Sequence, residues 1–305
     1  MQDVDLVVVG AGVAGLTAAM IAARHGLRVV VVDRMGAGGQ ISTAERIENF
    51  PGFPQGIGGH DLGPLLHQQA EAAGAEFLIG TIEGLEIDGK QRILRGAAET
   101  LRAPAAILAA GSALRTLGIP GEAQFLGRGV SHCASCDGPL FAGRKVCAVG
   151  GGDAAFDEAL VLAAQAAHVT LFHRGGHVRA QQALQNHVAA TPNIAIVLHT
   201  VVEEILGADM VSAVRLRGRD DAARVHPISG VFVYVGLEPN TAFLSNVITL
   251  DAAGHIEVDL LMRTSLVGVF AAGDIRKHSV AQLAAAAGDG ATAAMSAVRY
   301  LNGRA

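Results

Sequence analysis

The chain has 305 residues, half of them hydrophobic, with 39 glycines, no tryptophan and a net charge of −5 spread without long charge runs. That length is enough for two domains that each bury a core, and the Gly- and Ala-rich balance suits an α/β protein. The charge excludes a basic nucleic-acid-binding face, and no run of about 20 residues is apolar enough for a membrane span. Met1 to Asp5 carries acids where an export signal needs Lys or Arg, and three cysteines are too few for a disulfide framework. A cytoplasmic chain is therefore expected.

Leu6 to Val9 is a β-branched run that reads as a buried strand. Gly10-Ala11-Gly12-Val13-Ala14-Gly15 follows, then an Ala-rich helix to about His25 and a second strand, Val29 to Val32, ending at Asp33. Strand, GxGxxG, helix, strand and acid make the pattern of a dinucleotide site. Gly10 and Gly12 permit the tight turn and the close approach of a pyrophosphate, and Gly15 lets the helix pack on the sheet. Asp33, 23 positions after Gly10, would hydrogen-bond ribose hydroxyls. The plainer reading is a Gly-rich turn in a sheet that binds no nucleotide.

Gly38-Gly39-Gln40-Ile41 is a second flexible loop, and Asn49-Phe50-Pro51-Gly52 is a turn. A helix is expected over 64–73, with Pro64 near its first turn. Residues 75–88 and 92–101 read as strands of an antiparallel layer. Ala105 to Ala109 reads as a buried strand ending at Ala110-Gly111-Ser112, and Gly118-Ile119-Pro120-Gly121 as a connector at a domain boundary.

Cys133-Ala134-Ser135-Cys136 comes next, followed directly by Asp137-Gly138. Two thiols three positions apart, at a turn or helix start, can close and reopen a small disulfide ring, and an adjacent acid can move a proton. Half of a zinc site is the competing reading. It needs four ligands, and the remaining cysteine, Cys147, lies in an apolar run that suits a buried small hydrophobe.

Lys145 to Val149 then leads into Gly150-Gly151-Gly152-Asp153-Ala154-Ala155, a helix to about Ala166 and a strand from Val169 to Phe172. The binding unit has recurred 140 positions after the first, with Ala in the third-glycine place. Two such units imply two dinucleotides. His173, Arg174 and Arg179 follow the second strand where an acid would repel a 2′-phosphate, so this site leans to NADP over NAD. The alternative for Arg174 and Arg179 is an ordinary solvated helix start. Strands are expected over 194–202, 210–216 and 231–235, and an Ala-rich helix from Val280 to about Arg299.

These motifs together resemble the low-molecular-weight thioredoxin reductase family over nearly the full length. The likeness rests on Gly10-x-Gly12-x-x-Gly15, Gly38-Gly39-Gln40, Glu48-Asn49-Phe50-Pro51-Gly52, Gly118-Ile119-Pro120-Gly121-Glu122, Cys133-x-x-Cys136-Asp137-Gly138, Gly150-Gly151-Gly152-Asp153, His173-Arg174, Gly236-Leu237-Glu238-Pro239-Asn240 and Ala272-Gly273-Asp274, in that order. The resemblance implies two Rossmann-like domains of three-layer ββα type. An FAD domain (1–112 and 246–305) would carry an inserted NAD(P)H domain (118–240) with the CxxC. The inserted domain would turn about linkers near 112–118 and 239–246.

By the same likeness, Gly10, Gly12, Gly15, Asp33, Gly39, Gln40, Asn49, Gly111, Gly273, Asp274 and Gln282 serve FAD. Gly150, Gly152, Asp153, His173, Arg174 and Arg179 serve NADPH, with NADH possible. Cys136 corresponds to the thiol beside the flavin, Cys133 to the one that attacks thioredoxin or a thioredoxin-like protein, and Asp137 to the proton donor. No metal is expected, and family members are homodimers.

The sequence departs from the pattern in placing Gly175 where a second Arg usually follows His-Arg, Ala281 where an Arg precedes the flavin-side Gln, Ala110 where a Thr is usual, and His132 before the CxxC. The first two keep a ferredoxin-fed reductase open as an alternative. A dithiol oxidase that needs no nicotinamide is the other rival enzyme, and a flavin-bound redox sensor without turnover is the non-enzymatic one.

Overall fold

Unbroken β-branched runs form the centre of each half of the chain, because a parallel strand is covered on both faces. The structure, a computed structural model, describes residues 2–97, 99–244 and 247–303. The chain forms two units, Met1–Ala113 with Glu238–Ala305, and Leu114–Leu237. Asn246, expected at the second boundary, lies outside the described residues.

In the first unit the parallel strands run in the spatial order Val269–Ala271, Ala105–Leu108, Leu6–Val9, Val29–Asp33 and Glu76–Ile79. Their side chains alternate between two different covers. Leu6, Val8, Val31 and Ile107 pack with Leu16, Ala18, Ala293 and Ala297 of the helices Val13–Arg24 and Leu283–Leu301. Val7, Val9, Val30 and Leu108 pack with Leu85, Leu94 and Leu101. Those three lie in an antiparallel layer that includes Ile82–Asp88, Gln91–Gly96 and Thr100–Ala103.

The second unit repeats this three-layer plan. Its parallel order is Val130–Ser131, Gly230–Tyr234, Lys145–Gly150, His168–Phe172 and Ile194–Val197. Val146, Ala148, Leu171 and Phe232 face Phe156, Ala159 and Leu162 of the helix Asp153–Ala163. Cys147, Val149, Val231 and Val233 face Val202, Ile205 and Val214 of the layer Val201–Gly207, Val211–Arg217 and Ala223–Pro227. Cys147 is fully buried there, and burial pushes its thiol far above the usual range.

Several expected elements are redrawn. The helix expected over 64–73 spans Gly59–Ala72, with Pro64 inside it. Its glycine start hides it from propensity, and Gly59 is required because a Cβ there would lie 1.7 Å from the Ile41 carbonyl oxygen. The stretch 75–88 splits, Glu76–Ile79 joining the parallel sheet beside Val29–Asp33 and Ile82–Asp88 the antiparallel layer. The stretch 92–101 also divides in two, and 194–202 breaks at His199, which has φ +52°. The helix Gln182–Ala190 and the strand Ala223–Pro227 were not anticipated. The last helix starts at Leu283 rather than Val280, after Ala281 in the left-handed region at φ +50°.

The helices Val13–Arg24 and Leu283–Leu301 close together at Gly290, where a Cβ would lie 2.1 Å from the Ala14 carbonyl oxygen. Two turns of sign are therefore expected in one helix. Gly290→Ala should cost about 1–3 kcal/mol by overpacking against backbone. Gly288→Ala, whose Cβ meets nothing within 4 Å, should gain about 0.5–1 kcal/mol from helix propensity. Thermal unfolding of the two variants checks both.

Candidate active site

The first glycine turn is shaped by what its residues lack. Gly10 has φ +106°, and a Cβ there would lie 2.3 Å from the Ala109 carbonyl oxygen. A Cβ on Gly15 would lie 1.9 Å from the Gly10 carbonyl oxygen, so that glycine lets the helix seat on the turn. Gly12 is different, since its Cβ would meet nothing within 4 Å. The helix Val13–Arg24 starts there with no side-chain cap and no acid in its first turn. Open backbone and uncapped N–H groups fit a pyrophosphate.

Asp33 accepts the Ala11 N–H at 2.8 Å on one oxygen and the Met35 and Gly36 N–H groups at 2.8 and 3.0 Å on the other. It thus braces the turn, and a ribose hydroxyl would share these oxygens. The Gly38 N–H donates to the Ala11 carbonyl at 2.9 Å, and a Cβ on Gly39 would lie 3.3 Å from the Gly12 Cα. Gln40 Nε2 donates to the Ser112 carbonyl at 2.5 Å, and Asn49 Nδ2 to Gln282 Oε1 at 3.0 Å. Asp274 Oδ1 accepts the Ser279 hydroxyl at 2.8 Å. Gly111 has φ +61° and accepts the Asn240 N–H at 3.0 Å, while Gly273, at φ +78°, would place a Cβ 3.0 Å from the Ala14 Cβ.

One participant escaped the sequence reading. Asp289 is buried and accepts the Gly273 N–H at 3.1 Å and two bonds from Arg276 at 2.6 and 2.9 Å. An acid in the middle of an Ala-rich helix is the signal that could have found it.

In the second unit the pattern recurs. A Cβ on Gly150 would lie 2.4 Å from the Tyr234 carbonyl oxygen, and one on Gly152 would meet nothing within 4 Å. The helix Asp153–Ala163 begins at Gly152 with no side-chain cap. Asp153 is turned to the following loop, accepting the Gln181 N–H at 2.8 Å and Nε2 at 2.6 Å. The His173 ring covers Gly151, whose Cβ would lie 2.3 Å from Nδ1, and the Arg179 N–H donates to the Gly151 carbonyl at 2.6 Å. The side chains of Arg174 and Arg179 are exposed.

Cys133 and Cys136 are joined by a disulfide. Cys133 is the N-cap of the short helix Ala134–Asp137, and its sulfur accepts the Cys136 N–H at 3.2 Å. Ser131 Oγ accepts the Cys133 N–H at 3.1 Å. Glu158, on the helix Asp153–Ala163, accepts the Ala134 N–H at 2.7 Å and the Tyr234 hydroxyl at 3.0 Å on the same oxygen. Burial, with the Glu158 carboxylate beside it, holds the Tyr234 phenol well above its usual range, so it stays a donor. His132 sets Nδ1 3.2 Å from the Val233 carbonyl, a packing contact within its own unit. Glu158 and Tyr234 carry no local sequence signal, since their roles come from pairing across 24 and 76 positions.

The family described as pyridine nucleotide-disulphide oxidoreductase matches residues 4–290. The thioredoxin reductase of Treponema pallidum is 40% identical over 302 residues, covering 98% of both chains. That of Listeria innocua is 42% identical over 301 residues, covering 97% of this chain and 93% of its own. The crystal structure of Lactococcus lactis thioredoxin reductase superposes with a TM-score of 0.96 at 35% identity, covering 98% of this chain and 99% of its own. The chain belongs to the pyridine nucleotide-disulphide oxidoreductases, and within them to the low-molecular-weight thioredoxin reductase family.

The Glu158 bracket yields a stability test. Glu158→Ala strands a backbone N–H and a buried phenol, and should cost about 1–3 kcal/mol in thermal unfolding of the oxidised protein. Glu158→Gln keeps an acceptor oxygen and should cost less than half as much. Equal losses would mean that charge, not the acceptor, holds the turn.

Proposed function

We propose that the chain passes two electrons from NADPH, through FAD at the first glycine turn, to the Cys133–Cys136 disulfide and on to thioredoxin or a thioredoxin-like protein. The observation that carries this reading is that one helix, Asp153–Ala163, starts at the second glycine turn and holds the disulfide turn through Glu158. Nucleotide-type turn and dithiol therefore share a rigid element.

Bound FAD supplies the two-electron relay between a nicotinamide and a disulfide. The rest is the work of this chain's side chains. The disulfide takes up two electrons and two protons to become a dithiol. The Cys136 N–H and the short helix's N-terminus favour a thiolate on Cys133, which we assign as the attacking sulfur. It bonds to one sulfur of the partner's disulfide, and the other leaves as a thiolate, to which Asp137 passes the proton it took from Cys133. Cys136 then attacks Cys133, restoring the internal disulfide, and the second partner sulfur leaves with the proton that Cys136 gives up, so the partner is released as a dithiol.

NADPH is favoured over NADH because the loop after His168–Phe172 offers Arg174 and Arg179 and no acid up to Gln181. A dithiol cycled in this way belongs in a reducing compartment, so we place the protein in the cytoplasm. Among the described residues no helix is long and apolar enough to cross a membrane. Leu260 is 93% exposed, and beside it Leu261 lines an open hollow of about 300 Å³ with Ala291, Thr292, Met295, Ser296 and Arg299; the two exposed leucines there support a homodimer.

The test is anaerobic. NADPH should bleach the flavin absorbance of the purified protein at least about tenfold faster than NADH, in line with a 2′-phosphate read by paired cations. Bleaching by neither would turn the reading to ferredoxin as donor or oxygen as acceptor. Cys136→Ser should keep the bleaching and lose disulfide turnover, and full turnover in that variant would remove the CxxC from the mechanism. Asp137→Asn should slow thiol exchange more than bleaching, because the proton it supplies is needed only in the former.

A further inference from the structure

Gly175 and Gly176 are not a bare gap in the loop that follows the strand His168–Phe172. A Cβ on Gly175 would lie 2.9 Å from His173 Nε2, and one on Gly176 would lie 2.6 Å from His199 Cε1. Two imidazoles therefore lie over the two glycines. The backbone joins the same groups, since the His199 N–H donates to the Gly175 carbonyl at 3.1 Å and the Thr200 N–H to the His173 carbonyl at 3.0 Å. His199 holds this place in the left-handed region at φ +52°.

A guanidinium reaches this row from another element. Arg219 Nη2 lies 3.0 Å from His199 Nε2, with the guanidinium donating. Arg219 sits in the tip 218–222 between the strands Val211–Arg217 and Ala223–Pro227. Strand register explains the approach, because Val201 pairs with Arg217 and so brings the tip alongside residue 199. The carboxylates of the tip are already engaged. Asp221 binds Arg217 at 2.8 Å, and Asp220 binds Arg224. Arg219 makes no ion pair among the described residues.

In a dinucleotide-binding sheet the adenosine ribose lies beyond the carboxyl end of the second strand, and a group on its 2′ oxygen extends outward from there. That position is where His173, Gly175 and His199 meet, with Arg174 and Arg179 in the same loop. We propose that Arg219, positioned by His199, is a specificity-determining residue for the 2′-phosphate of the nicotinamide dinucleotide, supplying from the hairpin the cation that residue 175 does not. This rests on the reading that the second glycine turn holds that dinucleotide. His199 acts as a positioning residue, fixing the guanidinium by its ring nitrogen.

The test compares ligands that differ by the phosphate alone. Adenosine 2′,5′-bisphosphate and 5′-AMP are titrated by calorimetry into the full-length, flavin-loaded protein and its variants. Arg219→Ala should weaken the bisphosphate about tenfold while moving 5′-AMP less than about twofold, the size of one charge-assisted contact at an exposed site. Arg219→Lys should fall between, because it keeps charge and loses the planar fork. His199→Ala should shift the bisphosphate in the same direction by a smaller factor, and the ratio of KM for NADPH to KM for NADH should rise in step. An unchanged bisphosphate affinity in Arg219→Ala overturns the proposal, as does equal weakening of both ligands, which would make Arg219 a brace for the hairpin. If the wild-type protein binds neither ligand and is bleached by neither nicotinamide, the reading of the second turn falls and the proposal falls with it.

Discussion

A carbonyl oxygen at the end of a neighbouring strand occupies the space a side chain would take at Gly10 and again at Gly150. The Ala109 oxygen lies 2.3 Å from the one Cβ position and the Tyr234 oxygen 2.4 Å from the other. With any larger residue the strand ends would part and the turn could not tuck between them. Because they close, Gly12 and Gly152 face open space, and each following helix begins with N–H groups that no side chain caps. Both nucleotide-type turns follow from this steric exclusion, made twice in one chain. The two copies then diverge. The first is braced by Asp33 from the end of its second strand, and the second by Asp153 from the helix start and by a histidine ring lying over Gly151.

The local parts of this arrangement were legible in the sequence. Leu6 to Asp33 and Lys145 to Phe172 could be read as strand, turn, helix and strand, because glycines, β-branched runs and alanines act within a few residues of themselves. Which layer a strand joins was not legible. Glu76–Ile79 and Ile82–Asp88 have similar composition, and only the break at Gly80 and Thr81 sends one to the parallel sheet and the other to the antiparallel layer. The helix from Gly59 was hidden for the opposite reason, since its first residue is a glycine demanded by the Ile41 carbonyl. Asp289 is marked only as an acid inside an Ala-rich helix, whereas Glu158 and Arg219 act across 20 or more positions and the sequence carries no mark of their pairings.

The disulfide turn illustrates how little local structure a redox centre needs. A helix of four residues has no stability of its own. Here its first N–H is held by Glu158, the Cys133 N–H by Ser131 and the Cys136 N–H by the Cys133 sulfur. Two of those three acceptors are independent of whether the sulfurs are joined. The backbone can keep its path while the bond between the sulfurs opens and closes, so reduction need not reshape the turn.

The third sulfur gives the fold another property. Cys147 lies in the middle strand of its sheet, sealed between that sheet and the antiparallel layer, and its thiolate is strongly disfavoured. Sulfur exchange proceeds through thiolates that can reach their target. A chain with three mutually accessible sulfurs would scramble, trapping itself as Cys147 bonded to either member of the working pair. Interring the odd thiol makes the pairing unambiguous, so each turnover has one bond to reform and no wrong choice open to it.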